Sequence, residues 1–192
     1  MLRTYKWIGT PAINGFIPSG LPSFNNLEGY RYNPEAARKL LQQFIQETGV
    51  KNPSITITTN SNYLDLCEFI QRELQNIGLD VTIDVIPPSS LRQGKATGKF
   101  SVFRASWIAD YPDAENFYQL LYSANKAPGP NHGSFANAAY DDLYLRSKFM
   151  ENGPARFALF EKMSKIIYEE MPVVVTWNPM AFGIYQKWVR NL

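Results

Sequence analysis

The sequence predicts an α/β domain built on a mixed sheet of about five strands with helices on both faces. Residues 55–86 read strand, helix, strand: ITITT, then an apolar series at helical spacing, then VTIDVI. Such a unit implies parallel strands joined by a right-handed crossover. Helical and strand-like stretches go on alternating through most of the remaining chain, the pattern of an α/β architecture. At 192 residues and 45% hydrophobic, the chain is long enough to bury one ordinary core, and nothing in it suggests two independent ones.

Residues 1–32 carry repeated Gly and Pro in GTPAING, IPSGLP and LEGY, a spacing that breaks both helical and strand periods. An extended arm lying across the domain is expected there, with residues 33–192 forming the α/β lobe proper. Asn33 is a good N-cap, Pro34 suits the first helical position, and Ala37, Leu40, Leu41, Phe44 and Ile45 recur at helical spacing until Gly49 closes the helix. A strand at 55–59 follows. Tyr63, Leu66, Cys67, Ile70, Leu74 and Ile77 then share one helical face up to Gly78, and a second strand covers 81–86. After Pro87 and Pro88 a short helix near 89–96 leads through Gly98 into a strand at FSVFRASW, residues 100–107, whose end runs into the loop IADYPDAENF.

A helix is expected to start near Asp113 and to cover Phe117, Leu120 and Leu121, before SANKAPGPNHGS makes a surface loop. Two helices follow, around 138–150 and 154–170, the second with Phe160, Met163, Ile166 and Ile167 on one stripe and Pro172 as its stop. VVVTW at 173–177 and FGIYQ at 182–186 are the last strand candidates, joined by a turn at Asn178 and Pro179.

Composition removes several function classes. The balance of 19 Lys plus Arg against 17 Asp plus Glu, without a run of like charge, gives no basic stripe for nucleic acid. One cysteine, Cys67, excludes an internal disulfide, a CxxC pair and a cysteine-rich zinc site, and its apolar neighbours make it an inert core thiol. No stretch is apolar for the 18 or so residues that a bilayer span needs. The start MLRTYKWIGTPAINGF shows no signal peptide, so the chain is read either as cytosolic or as an excised piece. The 14% aromatic content suits either a gripping pocket or a well-packed core, the second being commoner. HExxH, P-loop and GxGxxG motifs are absent, and imidazole and thiolate are scarce, so no cofactor and no metal are expected. His132 and Ser134 lie in a Pro/Gly-rich loop with no GxSxG elbow, which reads as a solvated loop histidine rather than an enzyme's base.

Ligands of open α/β sheets sit beyond the carboxyl ends of the strands, which directs attention to the end of FSVFRASW and its loop. Arg104, Trp107, Asp110, Tyr111 and Asp113 fall within ten residues there. An arginine for a carboxylate, an aspartate for an ammonium and an aromatic plate for apolar parts would together hold a zwitterion. An arginine and an aspartate this close equally suit a plain ion pair at a strand end, and the residues alone favour that simpler reading.

The order GTPAINGFIPSGLPSF, YRYNPEAARKLLQ, RASWIADYPDAENF, FANAAYDDLYLRS and MPVVVTW resembles the C-terminal lobe of the extracytoplasmic solute-binding proteins of the oligopeptide and dipeptide family, family 5. The most specific element is W-x-A-D-Y-P-D, Trp107 to Asp113. The resemblance implies a type II periplasmic-binding-protein lobe, one of two that close over a ligand. It implies that Asp110 binds a peptide's amino group, that Arg104 binds its carboxylate, and that backbone around Ser106 and Trp107 pairs with the peptide as an added strand, with Tyr111 beside it. Ala114 departs from the second proline many members carry. An N-terminal lobe and an export signal would precede Met1, and a hinge-returning segment would follow Leu192. The parent would be an exported monomer, lipid-anchored or free, that delivers peptides to the permease of an ABC importer. Non-peptide solutes of the same family (nickel complexes, haem, sugars), a structural interaction domain and, last, a hydrolase are the other readings.

Overall fold

A computed structural model describes residues 9–11, 15–23, 29–179 and 186–189. In chain order the elements are β1 (Gly9–Pro11), α1 (Pro34–Thr48), β2 (Ser54–Thr59), α2 (Leu64–Asn76), β3 (Asp80–Val85), α3 (Pro88–Ala96), β4 (Val102–Phe103), α4 (Glu115–Tyr118), α5 (Ala138–Lys148), α6 (Pro154–Glu170) and β5 (Trp177–Pro179). Short 3-10 turns occupy Ser61–Tyr63, Gln119–Leu121 and Ser123–Asn125.

Helix boundaries fall where local chemistry puts them. The Asn33 side chain accepts from the Ala36 N–H at 2.9 Å, Pro34 opens the first turn, and Gly49, at φ 73°, returns its N–H to the Ile45 carbonyl at 2.9 Å. Asn137 caps α5 in the same way, through the Tyr140 N–H. α1 keeps no fully buried residue, and Leu40 and Phe44 on its apolar stripe stay exposed. It is tied to α2 by Arg38, which donates to the Asn76 carbonyl at 3.0 Å, and by the nearby Tyr32 hydroxyl, which donates to Glu73 at 2.6 Å.

The sheet is narrower than expected. Its order is β3-β2-β4, all parallel, with Ser54 opposite Asp80, Thr59 opposite Val85, and Thr58 opposite Phe103. β1 and β5 form a separate antiparallel pair, with Pro11 opposite Trp177. Among the described residues the expected mixed sheet of about five strands is a three-stranded parallel sheet plus a two-stranded ladder. The strand expected at 100–107 contracts to β4, since aromatic and β-rich composition marks a strand only as far as a neighbour's backbone pairs with it. Residues 173–176 are irregular, and the Asn178-Pro179 step lies in β5 rather than in a turn. A proline is tolerated there because β5 pairs on one side only, among the described residues. Residues 182–185 of the last expected strand lie outside the described residues, as do parts of the 1–32 arm.

Two apolar clusters hold these layers. Ile57, Cys67 and Val81 pack with Ile55, Ile70, Leu74 and Ile83, burying one face of β2 and β3 under α2, and Cys67 sits there at 1% exposure as an inert core thiol. The alternation ITIT and VTID is the period of a strand with one face covered. Right-handed crossovers place α3 on the opposite face, but α3 has only nine residues and Thr56, Thr82 and Asp84 remain exposed. The larger cluster joins Tyr118 and Leu121, Tyr140 and Tyr144 of α5, and Phe160, Met163 and Ile167 of α6, with Ile17 from the N-terminal segment. Its tyrosines bring their own polar atoms inside, and each is matched. The Tyr118 hydroxyl lies 2.7 Å from Ser164 Oγ and donates to the Phe160 carbonyl, and the Tyr140 hydroxyl donates to the Tyr118 carbonyl at 2.7 Å. Much of the aromatic content is thus core.

Candidate functional site

Because β2 and β4 are neighbours in a parallel sheet, the turn leaving β2 and the segment leaving β4 lie side by side at the carboxyl edge. The Arg104 N–H donates to the Thr58 carbonyl at 3.0 Å, extending the ladder by one bond. Beyond it no sheet partner among the described residues holds the chain, and residues 104–109 run on without regular structure.

Arg104 lies half-buried with its guanidinium carbon 3.2 Å from the centroid of the Tyr63 ring. The ring's negative face stabilises the cation where water is partly excluded. Burial pulls this guanidinium below its ordinary value, and Tyr63 opposes that shift. Arg104 also donates to Ser106 Oγ at 3.4 Å, the long limit of a hydrogen bond, and Ser106 itself is exposed.

Trp107 and Asp110 are joined by a residue the sequence reading did not single out. Asn116 is fully buried, and its Oδ1 accepts from Trp107 Nε1 at 2.7 Å and from the Asp110 N–H at 3.2 Å. Its Nδ2 donates to the Asp110 carboxylate at 3.4 Å. One buried amide thus sets the indole plane and the aspartate together while the aspartate stays exposed. The Tyr111 hydroxyl donates to Glu115, and the Tyr144 hydroxyl does the same from α5. Burial, followed by this bond, pushes the Tyr111 phenol up.

Asp113 belongs to the loop's foundation. Its Oδ1 accepts from the Glu115 N–H at 2.8 Å, starting α4, and its Oδ2 meets Arg156 of α6 at 2.5 Å. Arg156 is buried and also donates to the Ser147 carbonyl at 2.9 Å and to Asn152 at 2.8 Å. A carboxylate matched in this way is unavailable to a ligand. Arg104 and Asp110 do not pair with each other: among the described residues neither takes part in an ion pair. The simple strand-end ion pair is therefore not what the fold builds.

Sequence reasoning missed Asn116, Tyr63 and Arg156. A polar residue just before Phe117, one helical turn ahead of Leu120, was the available signal for Asn116. The other two come from distant segments and carried none. No three His, Cys, Asp or Glu side chains gather to hold a metal among the described residues. His132 is half-buried, burial and Lys95 push its imidazole down, and no hydrogen bond joins it to Ser134. None of the described helices is long and apolar enough to cross a membrane.

The model of the bacterial extracellular solute-binding proteins, family 5 Middle, matches residues 4–129. Di/tripeptide-binding protein 2 of Pseudomonas aeruginosa is 26% identical over 185 residues, covering 92% of this chain and 34% of that protein. The periplasmic murein peptide-binding protein MppA of Escherichia coli is 24% identical, over 96% of this chain and 34% of its own length. The chain spans about a third of the length of these curated relatives. Among solved structures, the ABC transporter-associated periplasmic binding protein DppA from Helicobacter pylori, in complex with peptide STSA, superposes with a TM-score of 0.80 at 27% identity, covering 89% of this chain and 34% of that one. The unliganded open form of MppA gives 0.77 at 23% identity, a likeness of fold.

Proposed function

The chain belongs to the bacterial extracellular solute-binding proteins of family 5, and from that premise we propose that it is the C-terminal lobe of a two-lobed binding protein that captures short peptides for an ABC importer. The observation that carries the reading is the separation of two charges on one segment. Arg104 lies against Tyr63, Asp110 is set by Asn116, and neither neutralises the other. An uncompensated cation and an exposed carboxylate six residues apart suit the two ends of a zwitterion. Six residues of extended chain reach about 20 Å at most, and a bound strand rises roughly 3.3 Å per residue, so the pair can bracket a short peptide. The backbone at Ser106 and Trp107, beyond the last ladder bond, would accept that peptide as an added strand whatever its side chains. Ile108, 86% exposed beside it, would be covered by the closing second lobe.

On this reading the parent protein is exported, works as a monomer and docks on a membrane permease, and the lobe itself binds rather than catalyses. Mass spectrometry of small molecules released from the intact protein, purified without refolding, tests the ligand class. Short peptides are expected. Haem, a metal complex or a sugar in stoichiometric amount would place the protein among the non-peptide binders of the family.

A further inference from the structure

We propose that Glu115 is a positioning residue for the ligand segment: its buried carboxylate ties Tyr111 to Tyr144 of α5 and thereby sets where the neighbouring Asp110 stands. The inference rests on the reading of residues 104–111 as ligand-binding.

Three side chains just past the segment hold it, each reaching in a different direction. Asp113 is anchored on Arg156 of α6, and Asn116 on Trp107 and the Asp110 N–H. Glu115 makes the third hold, and its two oxygens accept separately: Oε1 from the Tyr144 hydroxyl and Oε2 from the Tyr111 hydroxyl. One end of this link is fixed. Tyr144 is fully buried, its ring stacks on Tyr122 with centroids 4.7 Å apart, and the Glu115 N–H donates to Asp113 Oδ1 at 2.8 Å. The other end belongs to the surface. Tyr111 is 45% exposed and stands between exposed Asp110 and exposed Pro112, with its hydroxyl turned inward onto Glu115.

Glu115 is buried, and no cation pairs with it among the described residues. Burying an acid without a cation is costly, and a fold that needed only a filled space could place an apolar residue there. What the carboxyl group supplies is two acceptor oxygens on one rigid plane, so both phenols donate to it at once. A carboxamide of the same shape has a donor in place of one oxygen and could not serve both phenols in this geometry. Burial, followed by the bond to Glu115, pushes the Tyr144 phenol up, which keeps it a donor. With the Tyr111 hydroxyl engaged in the same way, that residue offers a ligand its ring rather than a hydrogen bond. The pairing is ordered along the chain: Glu115 holds Tyr111 and the adjacent Asn116 holds Asp110. Two neighbouring side chains of α4 thus place two neighbouring residues of the segment.

The test is calorimetry of the intact protein with tri-alanine and with N-acetyl-tri-alanine, beside urea unfolding of each variant. Glu115→Gln and Tyr111→Phe are each expected to weaken tri-alanine about tenfold, the loss expected when one charge-assisted contact is misplaced. Binding of the acetylated peptide should stay as it is in wild type, so the preference for a free amino end shrinks. The double variant should lose no more than either alone, because both substitutions break the same bond. Tyr118→Phe removes a buried phenol bond elsewhere in the same cluster, and it should lower stability while leaving both affinities unchanged. Tyr111→Phe alters an exposed residue conservatively and decides the matter even where Glu115→Gln folds poorly. If Tyr111→Phe and Glu115→Gln behave as Tyr118→Phe does, or if their losses add in full, the positioning role is overturned and the peptide reading stands. Wild type that binds neither peptide, or both equally, sinks the reading of Asp110 and the positioning role with it.

Discussion

Asn116 turns Trp107 and Asp110 into one unit. Replacing it with Leu keeps the branched shape but strips an acceptor from the Trp107 Nε1–H and the Asp110 N–H. Leaving partly buried donors unmatched costs about 1–3 kcal/mol, so Asn116→Leu should lower the unfolding free energy measured in urea by that amount, and an unchanged value would show that water serves both donors. His132 gives a second test at this scale. Burial and Lys95 lower its folded-state value below the ordinary 6.5, so the unfolded chain takes the proton first. Its contribution to stability is complete above pH 6.5 and is lost as pH falls from there through the folded value. Thermal melts across that window should show wild type losing stability on acidification more steeply than His132→Gln. Parallel curves would mean that the imidazole is as free to protonate folded as unfolded.

Elements respond to packing rather than to single charges. Gly94 sits in α3, where alanine would ordinarily favour the helix by up to about 1 kcal/mol. An added Cβ would lie 2.1 Å from Phe100, and overpacking of that kind costs about 1–3 kcal/mol. Gly94→Ala is therefore expected to destabilise the native chain and to become neutral or stabilising in a Phe100→Ala background, measured as a double-mutant cycle in urea. The same contrast between local and tertiary causes explains what was legible in the sequence. α1, α5 and α6 could be read closely because Asn33, Pro34, Gly49, Asn137 and Pro154 act on their own turns. β2 and β3 were legible from apolar alternation. The strand at 100–107 was overread because strand length depends on a neighbour in space, and the same dependence moved β5 onto the Asn178-Pro179 step. The site segment stood out because charged and aromatic residues crowd a strand end. Its supports, Tyr63 under Arg104 and Arg156 under Asp113, lie 41 and 43 residues away in sequence and left no local trace.

At the scale of the whole molecule, the chain spans about a third of its curated relatives, and on the proposed reading it would supply one wall of a cleft. A site that works by enclosure loses most of its burial and half its contacts when one wall stands alone. The isolated chain should accordingly fold by itself and bind peptides only weakly, and micromolar affinity in calorimetry would contradict a two-lobed site. On the proposed reading, Asp110 holds the amino end of a peptide in the intact protein. That role is tested most directly by calorimetry of wild type and Asp110→Ala, each with a short peptide and with its N-acetylated form. The account predicts a loss of about 2–5 kcal/mol from the substitution, because a desolvated ammonium is left unpaired, a similar loss from acetylation, and little further loss when the two are combined. Equal binding of free and acetylated peptide by both proteins would contradict it and reduce Asp110 to a residue that shapes its own loop.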